Sequence, residues 1–181
     1  MSALNCFRVS LISTGGTIEK TYLESEGLLA NGESVLSHML KSLQLSGVEI
    51  ERINLMNKDS LEMTEEDHQK IVETIIEQSV AHDGIVVIHG TDKLTKTGKL
   101  VYERISELQA PCVFTGAMRP WIMKNTDALQ NLVESFAVVQ LLPIGAYVAM
   151  HNRVLTFPYV QKDTEQMTFI KTNQTKDSLH A

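Results

Sequence analysis

Two short loops hold the residues best suited to chemistry. One is Thr14-Gly15-Gly16-Thr17 and the other is His89-Gly90-Thr91-Asp92. Paired or single glycines let a backbone approach a ligand closely and leave N–H groups free to donate. A threonine beside such a loop becomes a nucleophile when a neighbour takes its proton. Taken alone, Thr14–Thr17 reads more readily as a tight turn with a structural hydroxyl. A phosphate cradle is disfavoured, because neither G-x-G-x-x-G nor G-x-x-x-x-G-K-[ST] occurs. The His89 imidazole reads as a hydrogen-bonding part of its loop rather than as a base.

Each loop follows a run that reads as a strand. Phe7–Ser13 precedes the first, and the almost wholly apolar Gly84–His89 precedes the second, which suits a central parallel strand buried on both faces. The rest of the pattern alternates. A helix is predicted over Ser34–Leu43 from Val35, Leu36, Met39, Leu40 and Leu43, and a strand over Val48–Leu55. Thr64 caps a further helix with Glu65, Glu66 and Asp67 at its positive end. Ile71, Ile75 and Val80 are expected on the buried face of that helix. Thr97–Leu108 and Asp127–Leu142 read as helices, and Cys112–Thr115 and Ala146–Met150 as strands. Val154–Tyr159 and Met167–Thr172 read as a hairpin, and the polar tail Asn173–Ala181 as frayed. Alternation of this kind predicts an α/β fold, with an open, mostly parallel sheet and helices on both faces. In such sheets ligands bind outside the carboxyl ends of the strands, where strand order reverses. If the two loop-bearing strands are neighbours, Thr17 and Thr91 face each other across one crevice.

Composition narrows the function. The chain has 181 residues, 43% hydrophobic and 21% charged, which suits one globular domain over residues 1–181. Its net charge of -6 and scattered basic residues argue against nucleic acid as a partner. No run reaches the length of a membrane span, and Met1–Thr14 lacks the features of a signal peptide. A cytoplasmic location is expected by absence of an address. The two cysteines, Cys6 and Cys112, read as buried reduced thiols. The histidine and cysteine spacings do not suit a metal site.

Several stretches, in order, resemble the asparaginase family. Leu11–Ile18 (LISTGGTI) resembles its first signature and Gly84–Asp92 (GIVVIHGTD) its second. Asp59-Ser60, Thr115–Pro120 (TGAMRP), Asp127 with Asn131, and Val160-Gln161-Lys162 agree as well. The resemblance implies roles residue by residue. Thr17 matches the family's first nucleophile. Thr91, Asp92 and Lys162 match a group in which lysine activates the threonine hydroxyl and the acid orients the lysine. Asp92 also matches the residue that binds the substrate's α-amino group. Ser60, with Asp59 beside it, matches the contact to the α-carboxylate, and Gly16 and Gly90 are the close-approach glycines. Tyr22 matches a lid tyrosine that can relay a proton to Thr17.

The implied activity is hydrolysis of L-asparagine to L-aspartate and ammonia through an acyl-threonine, with no cofactor. Alternatives are an amidase acting on glutamine or another amide, and a non-catalytic asparagine-binding module. Three departures stand out. The family's C-terminal domain, which lends an acid to a neighbouring subunit's site, has no counterpart here. Leu61 stands where many members have a polar residue. The loop carrying Tyr22 is of variable length in the family. Without the second domain, uncovered surface favours a homo-oligomer.

Overall fold

The computed structural model describes residues 6–31 and 34–172. The tail beyond Thr172 lies outside the described residues, and with it the expected fraying. The chain runs through strand β1 (Phe7–Gly15), a 3₁₀ turn (Thr17–Glu19), the hairpin β2 (Lys20–Leu23) and β3 (Leu28–Asn31), helix α1 (Leu36–Lys41) and strand β4 (Val48–Lys58). A second 3₁₀ turn (Ser60–Glu62) leads to α2 (Glu65–Ala81), β5 (Gly84–Ile88), α3 (Leu94–Glu103) and β6 (Cys112–Thr115). Helix α4 (Ala128–Val139) then precedes β7 (Ala146–Met150), β8 (Arg153–Thr156), β9 (Val160–Asp163) and β10 (Thr168–Lys171).

Six strands form the main sheet, in the order β4-β1-β5-β6-β7-β8. The first five are parallel, and β8 closes the edge antiparallel to β7. This is the open, mostly parallel sheet expected. Side chains alternate along β5, so Ile85 and Val87 pack with Ile71, Val72 and Ile75 of α2 and Leu94 and Val101 of α3. Val86 and Ile88 pack on the other face with Leu36 and Met39 of α1 and Leu132, Phe136 and Val139 of α4. Burying five consecutive apolar residues in this way requires cover on both faces.

Local chemistry explains several element ends. Thr64 and Asp67 form a reciprocal capping box, the Thr64 hydroxyl accepting from the Asp67 N–H and the Asp67 carboxylate accepting from the Thr64 N–H. At the β7–β8 turn, His151 and Asn152 both take positive φ, 54° and 59°, as a two-residue hairpin demands.

Other expectations need correction. The helix expected over Ser34–Leu43 is shorter, with Val35 as its N-cap and the Ser42 hydroxyl donating to the Met39 carbonyl at its end. The helix expected over Thr97–Leu108 begins earlier, at Leu94, and gives way to a 3₁₀ turn at Ile105–Glu107. The helix over Asp127–Leu142 is trimmed to Ala128–Val139. Val80 is 73% exposed, because it follows the buried Ser79 on the solvent side of α2, while Ile71 and Ile75 are buried. Cys6 is exposed, since it precedes β1 rather than lying within it, whereas Cys112 is buried in β6. The expected hairpin has different partners. Arg153–Thr156 pairs with β7, and Val160–Asp163 pairs with Thr168–Lys171. Pro158 has no N–H to extend the first of these ladders, so the chain leaves the sheet there. No helix among the described residues is long and apolar enough to cross a membrane.

Candidate active site

Strands β1 and β5 are neighbours, and the connections that follow them diverge, one toward β4 and one toward β6. That reversal places Thr14–Thr17 and His89–Asp92 side by side at the carboxyl end of the sheet. The Thr14 hydroxyl donates to the Ile88 carbonyl at 2.9 Å and ties the two strand ends together. Gly16 takes φ 82°, and a Cβ there would lie 2.5 Å from the Gly90 Cα. A Cβ on Gly90 would lie 2.5 Å from the Ser60 hydroxyl. Three loops therefore meet with no room for a side chain at either glycine, which accounts for both residues.

Thr91 is buried and Asp92 exposed on the turn that leads into α3. Lys162 reaches them from β9. Its ammonium lies 2.8 Å from the Thr91 hydroxyl oxygen and 2.8 Å from an Asp92 carboxylate oxygen. Strand β9, which places this lysine 71 residues from Thr91 in sequence, was not among the expected strands. Its pairing with β10, Lys162 opposite Phe169, holds it in position. Thr17 opens its 3₁₀ turn, partly exposed, and the backbone N–H of Trp121 donates to the carbonyl of the following Ile18 at 3.3 Å. Asp127 holds that Trp121 loop by accepting from the N–H groups of Met118 and Arg119, from the Asn131 amide, and from His151 at 2.8 Å.

Ser60 is fully buried, and its hydroxyl has no hydrogen-bond partner among the described residues. An unpaired hydroxyl in such a place is costly unless something else bonds it. Asp59 accepts from the Leu61 N–H and from Lys20 at 2.6 Å. The Lys20 ammonium is the first cause that holds its carboxyl below the usual range, and the Lys162 charge adds to the effect. Lys20, Asp59, Glu62, Asn31 and Asn57 line an open cavity of about 300 Å³ under the β2–β3 hairpin.

One expected site residue, Tyr22, stands outside this group. Tyr22 lies on β2, 57% exposed, and no hydrogen bond joins it to Thr17 among the described residues. Leu61 is 64% exposed rather than packed. Trp121 is half-buried against the α4 face of the core, and Arg119 donates to the Asn125 carbonyl. Sequence reading missed Lys20 and Glu19. Glu19 is buried, and burial raises its carboxyl above the ordinary value although Ser34 donates to it at 2.6 Å. Nothing in the local pattern marks either residue, because each gains its partner across the fold. His89 is fully buried, and burial lowers its imidazole to about 4, so the ring is neutral at pH 7.

Fold and site together define an open α/β protein with a threonine–lysine–aspartate group at the point where strand order reverses. The family model Asparaginase, N-terminal, matches residues 8–176, and the chain belongs to that family. It is 29% identical over 155 residues to an L-asparaginase from Thermococcus kodakarensis, an alignment covering 86% of this chain and 47% of that protein. It is 30% identical over 161 residues to an L-asparaginase from Bacillus licheniformis, covering 86% and 49%. One component of a glutamyl-tRNA(Gln) amidotransferase, from Thermoplasma volcanium, is 26% identical over 154 residues, covering 81% and 36%. Among solved structures, the thermostable L-asparaginase from Thermococcus kodakarensis superposes with a TM-score of 0.75 at 28% identity, covering 86% and 48%. A probable cytoplasmic L-asparaginase from Campylobacter jejuni gives 0.74 at 25% identity, covering 86% and 49%. The chain thus spans about half the length of the L-asparaginases it matches.

Proposed function

We propose that this chain hydrolyses the side-chain amide of L-asparagine to L-aspartate and ammonia through an acyl-threonine. The observation that carries this reading is the ammonium of Lys162, 2.8 Å from both Thr91 and Asp92. The Thr17 hydroxyl adds to the amide carbon, its proton is taken up by the site and returned to the amide nitrogen, and the C–N bond breaks to leave an ester and release ammonia. Water then attacks the ester through the same carbon and releases the carboxylate. Lys162 in its neutral form takes the Thr91 proton as the Thr91 oxygen takes one from the attacking hydroxyl or water, and Asp92 orients the lysine. Asp92 also pairs with the substrate's α-ammonium, while Ser60, whose buried hydroxyl has no partner among the described residues, takes the α-carboxylate. Gly16 and Gly90 let the three loops close up beside the substrate, and Asp59 with Lys20 borders it.

The test is ammonia release from asparagine, glutamine and N-acetylasparagine. Asparagine is expected to be hydrolysed fastest, and N-acetylasparagine much more slowly, since acetylation removes the charge that Asp92 reads. Faster release from glutamine would move the reading to a glutamine amidase. Tight asparagine binding with no ammonia from any of the three would make the chain a binding module. Thr17→Ala is expected to lower kcat by roughly 10²–10⁶-fold with the fold intact. Wild-type rates in that variant would remove Thr17 from the chemistry. The reading includes a homo-oligomer, supported by Leu141 at 83% and Ile144 at 53% exposed. Sedimentation at micromolar concentration would show it, and a monomer there would refute it.

A further inference from the structure

Behind the Thr91 loop lies a run of buried polar groups that the proposed chemistry does not use. The His89 Nδ1 lies 2.8 Å from the Gly90 carbonyl oxygen. The His89 Nε2 lies 2.8 Å from the Thr97 hydroxyl of α3, and that same hydroxyl lies 2.8 Å from Nδ1 of His68 on α2. His68 is 1% exposed, and Thr97 and His89 are fully buried. The two rings lie nearly parallel, 6.2 Å apart, and Phe114 meets His89 edge-on. The His68 Nε2 is buried with no partner among the described residues.

Hydrogen-bond valence fixes every hydrogen in this run. A carbonyl only accepts, so the His89 Nδ1 must carry a hydrogen. A neutral His89 then has a bare Nε2, which can only accept, and the single Thr97 hydrogen points to it. Toward His68 the Thr97 oxygen can only accept, so the His68 Nδ1 must donate. That leaves the His68 Nε2 bare, and this is the atom found without a partner. Both rings are therefore Nδ1–H tautomers, and the run has one direction, from α2 through α3 to the Gly90 carbonyl.

We propose that His68, Thr97 and His89 form a directed strut that fixes the Gly90–Thr91 peptide for oxyanion binding. In a trans peptide the N–H points opposite to the carbonyl. Holding the Gly90 oxygen on His89 turns the Thr91 N–H away from the interior, and no hydrogen bond from that N–H is found among the described residues. A free N–H held in advance is what an amide's tetrahedral intermediate needs. The three are positioning residues, acting through the backbone of Thr91. The oxyanion part rests on the amidohydrolase reading, and the strut itself does not.

The test has two arms. Side-chain nitrogen NMR of the wild-type protein reads the tautomers at pH 7, and Nδ1–H is expected at both His68 and His89. An Nε2–H form at either ring overturns the strut. The second arm compares Thr97→Val with Thr97→Ser. Valine removes the relay and serine keeps its hydroxyl. Valine is expected to shift the Thr91 amide resonance and lower kcat by about 10- to 100-fold, with KM changed less than about twofold, and serine to restore kcat to within about threefold. Equal loss in both variants, or no Thr91 shift with valine, overturns the proposal. If valine fails to fold, the wild-type tautomers and the serine variant still decide. If the wild-type protein releases no ammonia from any amide, the functional reading fails, and the NMR arm alone decides whether the strut exists.

Discussion

In the proposed chemistry Lys162 has two tasks, to hold Thr91 and, as a base, to accept its proton. Its amine also lies 2.8 Å from an Asp92 carboxylate oxygen, so a base role and a purely electrostatic role share one geometry. Substitution separates the roles. Lys162→Met keeps most of the bulk and removes the amine, while Lys162→Arg keeps a charge that does not titrate in the working range. If the lysine is the base, kcat is expected to fall by roughly 10²-fold or more in both variants, with melting temperatures near wild type. An active arginine variant beside an inactive methionine variant would leave Lys162 a charge role only. At this scale the motifs around Thr17, Thr91 and Lys162 were legible through resemblance, and the Thr91–Lys162–Asp92 contacts join residues picked from those motifs. The pair Lys20–Asp59 was not, because a lysine on β2 gains its meaning only from the loop it reaches across the fold. The orphaned Ser60 hydroxyl was equally invisible, since burial is a property of the assembled loops.

Elements were most legible where one local signal controls them. The apolar run at Gly84–Ile88 and the capping box at Thr64 both lie where the sequence puts them. Removing the cap with Thr64→Ala is expected to cost about 1 kcal/mol by denaturant unfolding. The hairpin past Met150 was less legible, because short strands take their partners from tertiary packing. Gly98 shows how packing overrides propensity. Glycine inside an exposed helix costs about 0.5–1 kcal/mol relative to alanine, so Gly98→Ala would stabilise a helix standing alone. In α3 the added Cβ would lie 2.1 Å from the Phe157 ring. That ring is 1% exposed and meets Phe114 edge-on, so it has little freedom to withdraw. Overpacking of this kind costs about 1–3 kcal/mol and outweighs the propensity gain. Gly98→Ala is expected to lower the urea midpoint, whereas Gly47→Ala, with nothing within 4 Å, is expected to leave it nearly unchanged. A raised midpoint for Gly98→Ala would show that α3 shifts away from Phe157 without strain.

Over the whole molecule, the polar groups buried at the carboxyl end of the sheet couple the site to global stability. His89 is neutral in the folded protein, with its imidazole lowered from 6.5 to about 4 by burial. In the unfolded chain it titrates at its ordinary value. Between those two values the unfolded chain therefore binds a proton that the folded protein refuses. Stability rises with pH through that window and is lost as pH falls through it. The full loss, reached below the lower value, is about 3 kcal/mol at 1.36 kcal/mol per unit. Burial lowers His68 too, which adds a loss of the same sign. Glu19 acts oppositely, since its carboxyl is raised and the folded protein binds a proton there more readily as pH falls. Asp127 is held low despite the burial that opposes it, by hydrogen bonds from backbone N–H groups and His151, so its contribution is lost only below the ordinary carboxylate range. Comparing wild type with His89→Gln cancels the groups common to both. The wild-type melting temperature is expected to fall by about 6–12 °C more than that of His89→Gln between pH 7 and the lower end of the window. Parallel curves for the two proteins would mean that His89 takes up a proton in the folded state without cost, and a neutral His89 would then be the wrong starting point for the directed run through Thr97.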